Sequence, residues 1–303
     1  MPVRVLAFLL LCSSLSFADI IDDVRIALSQ NNFPAAAAEL KNYRAQHGAD
    51  PEYMEALSWM ARGALAANQL DQADQYARQT ETLVRDHLHI QSLDTNPHLP
   101  VALGAAIEVE AQVLVARGQN AAAVALLRRD LVTYGKTSIR ARLQKNLNLL
   151  ALTGQSAPSL ITTEYLGPRP VSLLDLKGSP VLLFFWAHWC GDCKYEGPII
   201  AQLSSEFGAQ GLKVEAPTQL YGYAAQGQDA TPKDELAYIE RVWQHYYPGL
   251  QSAPVPVSSA NFNRYGASTT PTLVLIDRKG RVSLYHPGLM QYDELRAAIQ
   301  KAM

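Results

Sequence analysis

A cysteine pair between an apolar run and a helix constrains the fold more than any other feature of the chain. Val181 to Trp186 is apolar at every position and has the length of a strand, and Cys190 and Cys193 follow it at the start of a predicted helix. A strand without polar positions fits the buried centre of a sheet. Two cysteines three residues apart in the first turn of a helix can approach to disulfide-bonding distance. The segment therefore predicts an α/β domain built around this pair.

The residues on either side of the pair complete an α/β pattern. Helical periodicity stops near Gln155, in a Gly- and Pro-containing segment that indicates a domain boundary. The order βαβαββα predicts one parallel crossover and, around the turn at Asp277, one hairpin. The predicted elements after the first strand are a helix from Cys190 to Phe207, a strand from Leu212 to Pro217, a helix from Lys233 to Tyr247, strands from Thr272 to Ile276 and from Val282 to His286, and a helix from Tyr292 to Met303.

The chain before this boundary is predicted to be helical, with apolar residues three and four positions apart and Ala-rich runs. The second helix of each pair is preceded by a similar short polar turn, which begins at Asn31, Asn68 and Gly118. The segment resembles a degenerate tetratricopeptide array of three hairpins with a closing helix, although an antiparallel bundle has the same pattern. A concave surface that docks a protein partner and a scaffold or dimerisation domain both remain open. The predicted helices are Ile20 to Gln30, Pro34 to His47, Glu52 to Asn68, Asp71 to His87, Val101 to Arg117, Asn120 to Tyr134 and Ser138 to Leu152.

The first eighteen residues have the pattern of a signal peptide. Arg4 precedes the apolar stretch Val5 to Leu11, and small residues before Asp19 favour cleavage after Ala18. The apolar stretch is well short of the ~20 residues that a spanning helix needs, which disfavours a retained anchor. Leu11 before Cys12 disfavours a lipoprotein. No other segment is expected to span a bilayer, so we expect a soluble protein outside the cytoplasm, in the periplasm.

Cysteine number and charge exclude several classes of protein. Cleavage removes Cys12 and leaves Cys190 and Cys193, and one close pair does not make a disulfide scaffold. The chain has 26 Lys and Arg against 28 Asp and Glu, without a run of like charge. We therefore expect no nucleic-acid partner.

A metal site is not expected either. His87, His89, Asp94 and His98 lie in a polar link, but the two histidines nearest in sequence point to different helix faces, and a solvated loop is favoured. A zinc site at the cysteine pair would need four ligands, and only His188 lies nearby. The only redox group predicted is the cysteine pair itself.

Four motifs in the second half resemble one known family. They are Gly154 to Pro158, Phe185 to Cys193, Glu196 to Pro198 and Thr270 to Thr272. In this order they resemble the periplasmic TlpA/ResA branch of thioredoxin-like proteins. The resemblance covers residues 154–303 and implies a thioredoxin-like domain that exchanges protein thiols and disulfides. The predicted parts of the chain are thus a signal peptide at 1–18, a tetratricopeptide-like helical domain at 19–153 and a thioredoxin-like domain at 154–303.

Helix position assigns different roles to the two cysteines. Unsatisfied backbone N–H groups and the helix dipole stabilise a thiolate at Cys190, which is therefore the predicted nucleophile. Cys193 then resolves the mixed disulfide, and Trp189 is expected to shield one side while leaving Cys190 accessible. A static disulfide is the alternative.

Glu196 lies on the same helix face as Cys193, three residues later. The buried acid of many thioredoxins is replaced by Phe184 here, and the resemblance implies that Glu196 handles the proton of the resolving thiol. The alternative is a solvated carboxylate in the early turns of the helix, where it is favourable only because it interacts with the helix dipole. Pro198 is expected to kink the helix.

Thr270 and Pro271 precede a predicted strand. The resemblance implies that the peptide bond between them is cis and faces the cysteine pair, although an ordinary strand-starting proline is the alternative. The backbone of Thr270 is then expected to pair with an extended segment of the substrate.

The residues beside the cysteines predict a reductant. The carboxylate of Asp192, next to Gly191, disfavours a thiolate at Cys190 and lowers the reduction potential, while His188 is mostly neutral at pH 7. We expect a value nearer the roughly −270 mV of thioredoxin than the roughly −120 mV of the oxidant DsbA. A reductant outside the cytoplasm needs a membrane electron donor. A partner-binding adaptor is the alternative function, and a peroxidase is disfavoured because its motif is missing.

The loop from Tyr221 to Pro232 is rich in Gly, Gln and Ala and is longer than a simple connection. The helix behind it ends in Trp243, His245, Tyr246 and Tyr247. These aromatic residues form either a specificity rim or, as we favour, buried packing.

Overall fold

The computed structural model describes residues 19–303, and the predicted signal peptide lies outside the described residues. All seven predicted helices of the first half are present, with boundaries within three residues of those expected. They are α1 (Ile20–Ser29), α2 (Phe33–His47), α3 (Pro51–Ala66), α4 (Leu70–His87), α5 (His98–Ala116), α6 (Asn120–Tyr134) and α7 (Arg140–Ala151).

The turns inside the three hairpins share one backbone conformation. Asn31, Asn68 and Gly118 each have a positive φ, of 54°, 57° and 74°. In each turn the next residue donates its N–H to a carbonyl five residues earlier, as Asn32 does to Ala27 at 2.9 Å. Gly and Asn tolerate this left-handed conformation best, so the similar openings in the sequence encode the same helix-ending turn. The tetratricopeptide interpretation itself stays a prediction.

The helix α5 is long and apolar enough to cross a membrane. This differs from the expectation that no segment after the signal peptide could span a bilayer. It packs against α3, α4, α6 and α7, and most of its residues are buried. A helix covered on several sides by other helices is apolar around most of its circumference. Its composition is therefore accounted for by its central place in the helical half.

The second half contains the predicted α/β order. A four-stranded sheet has the order β3-β2-β5-β6, in which β3 is parallel to β2, and β5 is antiparallel to both β2 and β6. Every residue of β2 is buried, as its apolar run predicted. The elements of the sheet and its helices are β2 (Val181–Phe185), α8 (Gly191–Gly208), β3 (Lys213–Glu215), α9 (Pro232–Tyr246), β5 (Thr272–Ile276), β6 (Val282–Pro287) and α11 (Tyr292–Ala302).

Three short elements were not expected from the sequence. The strands β1 (Tyr165–Leu166) and β4 (Val255–Pro256) pair antiparallel as a separate ribbon, and the helix α10 (Ser259–Tyr265) follows. Two-residue strands and a two-turn helix are too short to show a period. Their packing, rather than a pattern of their own, defines them.

The helix α7 joins the two halves. It packs against α10, and the side-chain amide of Asn148 donates to the carbonyl of Tyr265 at 2.8 Å. Leu152 belongs to the same buried cluster as Phe185 of β2. The N–H of Gly154 bonds to the carbonyl of Val282, so the chain enters the second half along β6. The division at residues 153 and 154 stays a prediction, and the closing helix contacts both sides of it.

Candidate active site

The two cysteines form a disulfide at the start of α8. Their Cα atoms are 5.3 Å apart, and Cys190 is the N-cap residue of the helix. The Sγ atom of Cys190 accepts the backbone N–H of Cys193 at 3.0 Å. The side chains are 3% and 0% exposed, so Cys190 is more enclosed than expected but remains the more exposed of the two. The cap geometry places the sulfur of Cys190 among the free N–H groups of the helix.

The residues beside the pair differ in exposure. Trp189 is 50% exposed, and its ring centroid lies 5.6 Å from that of Tyr221. Gly191 and Asp192 are exposed in the first turn of α8, which leaves the Asp192 carboxylate in solvent. Water and salt weaken the effect of an exposed charge on a neighbouring thiol. The pair is thus bordered by one exposed aromatic ring and one solvated carboxylate.

Glu196 is a buried carboxyl group in the second turn of α8. Its side chain is fully buried, Oε2 accepts the backbone N–H of Met290 at 3.1 Å, and Oε1 has no hydrogen-bond partner among residues 19–303. Burial raises the pKa of Glu196, while the Met290 N–H and nearby His286 partly oppose this shift. The alternative of a solvated surface carboxylate is therefore wrong, because a helix face that covers the sheet is dry.

The predicted cis peptide bond between Thr270 and Pro271 is confirmed. Pro271 directly precedes β5, and Thr272 is paired with Phe185 at the end of β2. The chain leaves β2 toward the cysteines, so the proline lies beside the segment that carries them. The carbonyl of Pro271 accepts the N–H of Gly288, and the Oγ1 atom of Thr270 is buried without a partner among the described residues.

His188 lies in a buried polar cluster. It is 1% exposed, and its Nε2 atom lies 3.3 Å from Oε1 of Glu235. Burial lowers the pKa of His188, and the neighbouring Glu235 carboxylate partly opposes this. The rings of Tyr221, Tyr223 and Tyr238 meet the imidazole edge to face, at centroid distances of 5.3 to 5.5 Å. The imidazole is enclosed on several sides by aromatic rings.

Glu235 is the functional candidate that sequence reasoning missed. It is fully buried, and its carboxylate accepts the backbone N–H groups of Tyr221 at 2.5 Å and Gly222 at 2.8 Å in addition to contacting His188. In the sequence it follows the helix-capping pair Thr231-Pro232, where an acid normally favours the helix start in solvent. The structure instead makes it the anchor of the loop beside Trp189.

The aromatic residues at the end of α9 divide into two groups. Trp243 and Tyr247 are buried and pack against Trp186, with centroids 5.1 and 5.0 Å from it, as the packing interpretation favoured. His245 and Tyr246 are exposed. The Tyr246 ring lies 4.3 Å from the ammonium group of Lys194, the residue after Cys193, and Tyr221 lies beside Trp189.

The polar link in the helical half has structural contacts. His98 pairs with Glu55 at 2.8 Å, and the Asp94 carboxylate accepts the hydroxyl of Ser138 at 2.5 Å. Within residues 19–303 no group of three or more His, Cys, Asp or Glu side chains is arranged to hold a metal ion.

Fold and site define the second half of the chain as a thioredoxin-like domain with a Cys-x-x-Cys disulfide. Residues 171–303 match the family described as thioredoxin-like domain. The thiol-disulfide oxidoreductase ResA of Bacillus thuringiensis is 29% identical over 150 residues, which are 49% of this chain and 77% of ResA. The thioredoxin-like protein YneN of Bacillus subtilis is 29% identical over 143 residues, 47% of this chain and 75% of YneN. A solved thiol:disulfide interchange protein of the thioredoxin family from Chlorobium tepidum is 19% identical, covers 49% of this chain and 95% of its own, and superposes with a TM-score of 0.39.

Proposed function

We propose that this chain is a thiol-disulfide oxidoreductase that reduces disulfides of other proteins. The observation that carries the proposal is the cysteine pair at the start of α8, with the Cys190 sulfur as the helix cap. A structural disulfide needs no such exposure to free N–H groups, whereas a thiolate nucleophile is stabilised by them. The similarity to ResA supports the same chemistry.

The reaction proceeds in two exchange steps. The Cys190 thiolate attacks one sulfur of a substrate disulfide, which forms a mixed disulfide and releases the other substrate sulfur as a thiolate. Cys193 loses its proton and attacks the Cys190 sulfur, which forms the intramolecular disulfide and releases the second substrate thiolate. Two electrons pass to the substrate, and its two thiolates take up protons.

Glu196 is the proposed proton acceptor for Cys193. It lies on the same face of α8, it is buried, and one of its carboxyl oxygens has no hydrogen-bond partner among the described residues. A raised pKa brings the carboxyl group closer to the pH at which it can accept and return a proton. The resolving thiol and its base are thus enclosed together.

The substrate is proposed to lie in extended form between Trp189 and the Thr270–Pro271 bond. Trp189 offers an exposed ring, and Thr270 offers backbone groups at the start of β5. An extended segment that pairs with such backbone groups adds a short strand. The side chains of the substrate segment then decide which proteins bind. Tyr221, beside Trp189, is proposed to limit the binding site on one side.

The direction of electron flow is proposed to be reductive. Asp192 in the first turn disfavours the thiolate form, and His188 contributes no positive charge at neutral pH because burial lowers its pKa. The predicted signal peptide supports the proposal that this reductant acts in an oxidising compartment outside the cytoplasm. A membrane protein that supplies electrons is then a required partner.

Two measurements test the function and its direction. Reduction of insulin with dithiothreitol as electron source should depend on both cysteines. Equilibration with glutathione should give a potential nearer about −270 mV than about −120 mV. Asp192→Asn should raise the potential by up to about 30 mV, a tenfold change in the equilibrium, while Asp293→Asn in the exposed first turn of α11 should not. A potential above about −180 mV would overturn the reductive assignment and favour disulfide formation or isomerisation.

A further inference from the structure

A groove runs across the helical half on the side formed by α1, α3, α5 and α7. It consists of two adjoining cavities of about 730 Å³ and 590 Å³, which share Arg62 and Ala66 on α3. The first helix of every hairpin contributes to it, and α7 closes it at the junction with the second half. Four packed helices span about 25 to 30 Å at roughly 8 to 10 Å between neighbouring axes, so the groove suits an extended chain better than a single small molecule.

Positive charge exceeds negative charge in this groove, although the whole chain carries −2. Both lining carboxylates are already paired inside it, since Asp22 bonds to Arg25 and Glu108 bonds to Arg142 and Lys145. The lining cations are Arg25, Arg62, Arg142 and Lys145, and the lining carboxylates are Asp22 and Glu108.

Among residues 19–303, Arg62 is the groove-lining cation without an ion-pair or hydrogen-bond partner. Its guanidinium lies 4.4 Å from the ring centroid of Trp59, and no described residue accepts a hydrogen bond from it. Glu55, another nearby carboxylate, is already bonded to His98. Burial and the neighbouring Arg142 lower the pKa of Arg62 to about 10, so it stays charged at pH 7, and the two carboxylates near it, Glu108 and Glu55, are both bonded to other side chains. The contact with the Trp59 ring supplies no oxygen acceptor, so N–H donors of the guanidinium remain for a ligand.

Apolar surface lies next to this cation. Ile26 on α1 is 56% exposed within the groove, and the Trp59 ring also contacts the guanidinium of Arg25, at 4.8 Å from the ring centroid. A ligand that matches this surface has carboxylates and apolar side chains close together. Residues 1–18 carry Arg4 and no acidic side chain, so they lack the charge that the groove selects.

We propose that the groove binds an extended acidic segment of a partner protein, with a Glu or Asp side chain of that segment paired with Arg62. Apolar side chains of the same segment pack on Trp59 and Ile26. The paired carboxylate and guanidinium form charge-assisted hydrogen bonds in a partly dry site, where such bonds are strong. This binding is separate from the disulfide chemistry of the second half.

The test measures binding of labelled peptides to the full-length chain by fluorescence anisotropy. The probe is a peptide of alternating Glu and Leu with an amidated C-terminus, and its control has Gln in place of every Glu. Arg62→Gln should weaken binding of the Glu peptide about tenfold or more, because a hydrogen bond to a charged group is lost. Arg62→Lys should retain part of the affinity as a point charge. Arg128→Gln, exposed on α6 outside the groove, is the matched control and should bind as the wild type does.

Each outcome decides for or against the proposal. Binding of the Glu peptide that falls with added salt and with Arg62→Gln, but not with Arg128→Gln, supports it. No binding of the Glu peptide, equal binding of the Gln peptide, or unchanged binding by Arg62→Gln overturns it. Binding only by a peptide with a free C-terminal carboxylate also overturns it, in favour of a chain-terminus site. Helicity and the urea-unfolding midpoint of Arg62→Gln should equal those of the wild type, which shows that the helical half of the variant is folded.

Discussion

The backbone N–H of Cys193 donates to the sulfur of Cys190 across the first turn of α8, at 3.0 Å. This contact distinguishes the two cysteines, since only the first caps the helix and only it has an exposed fraction above zero. A thiolate formed at Cys190 would accept the same N–H group. The different fates of the two cysteine variants follow from this asymmetry.

Substitutions of the two cysteines should have different effects on disulfide exchange. Cys190→Ser should abolish reduction of insulin because it removes the nucleophile, whereas Cys193→Ala should accumulate mixed disulfides because nothing resolves them. Non-reducing electrophoresis of the variants with protein substrates measures both effects. Faster alkylation of Cys193 than of Cys190 in the reduced wild type at neutral pH would reverse the two roles.

Glu196→Gln should slow turnover about a hundredfold without unfolding the domain, at the lower end of what proton transfer contributes. Burial raises the pKa of Glu196, so its basic form is lost as the pH falls through that raised value. The wild-type rate should therefore decline on the acid side, and the Gln variant should be flat there. Turnover of insulin measured from pH 5 to 9 compares the two profiles.

Glu215→Gln is the matched control for this profile. Burial raises the pKa of Glu215 to about 7, but Glu215 is paired with Leu183 in the sheet, so it points to the face opposite the cluster that contains the two cysteines. It should leave the acid side of the profile unchanged. A profile altered by Glu215→Gln and not by Glu196→Gln would contradict the role of Glu196, because the titrating group would then lie on the other face of the sheet from the cysteines.

Glu235→Gln should loosen the loop beside Trp189. A carboxylate accepts both N–H groups of Tyr221 and Gly222, whereas an amide directs its own N–H₂ at one of them. We expect the KM for a protein disulfide to rise several-fold, with little change for a small aromatic disulfide that does not reach the rim. Steady-state kinetics with both substrates make this comparison.

Glu240 is exposed on the same helix, so Glu240→Gln is the control for this loop variant. It should change the KM for neither substrate. Equal losses with protein and small disulfides would contradict a role in substrate fit and point to a general loss of structure. Thermal unfolding of both variants separates these cases.

Glu110 in the helical half should make stability depend on pH. Burial and the neighbouring Glu81 raise the pKa of Glu110 to about 8, from 4.5 as an unperturbed group. The folded state therefore binds more protons than the unfolded state between these values, so stability is highest near pH 4.5 and falls as the pH rises to 8. Glu110→Gln should stabilise the protein at pH 8 by on the order of 2 kcal/mol and flatten this dependence.

Urea unfolding at pH 5 and pH 8 measures the effect of Glu110→Gln. Glu39→Gln, exposed on α2, is the control and should leave the pH dependence as in the wild type. An equal gain at both pH values would mean that the carboxyl group does not titrate in this range.

The sequence by itself determined most of the architecture. The seven helices of the first half and the unbroken apolar strand β2 follow from local periodicity, and Asn31, Asn68 and Gly118 end helices because few other residues tolerate a positive φ. The cysteine pair could be identified from the sequence because its chemistry requires two cysteines at one spacing in one helix turn.

Tertiary structure alone decided which polar residues are buried. Glu196 and Glu235 both stand in early helix turns, where an acid is equally favourable in solvent, and only the packing of α8 and α9 encloses them. The same holds for Arg62. That no residue of 19–303 forms an ion pair with it depends on the packing of helices that are far apart in the chain. Local periodicity reports which face of an element is apolar, whereas the surroundings of one charged group depend on contacts between distant segments.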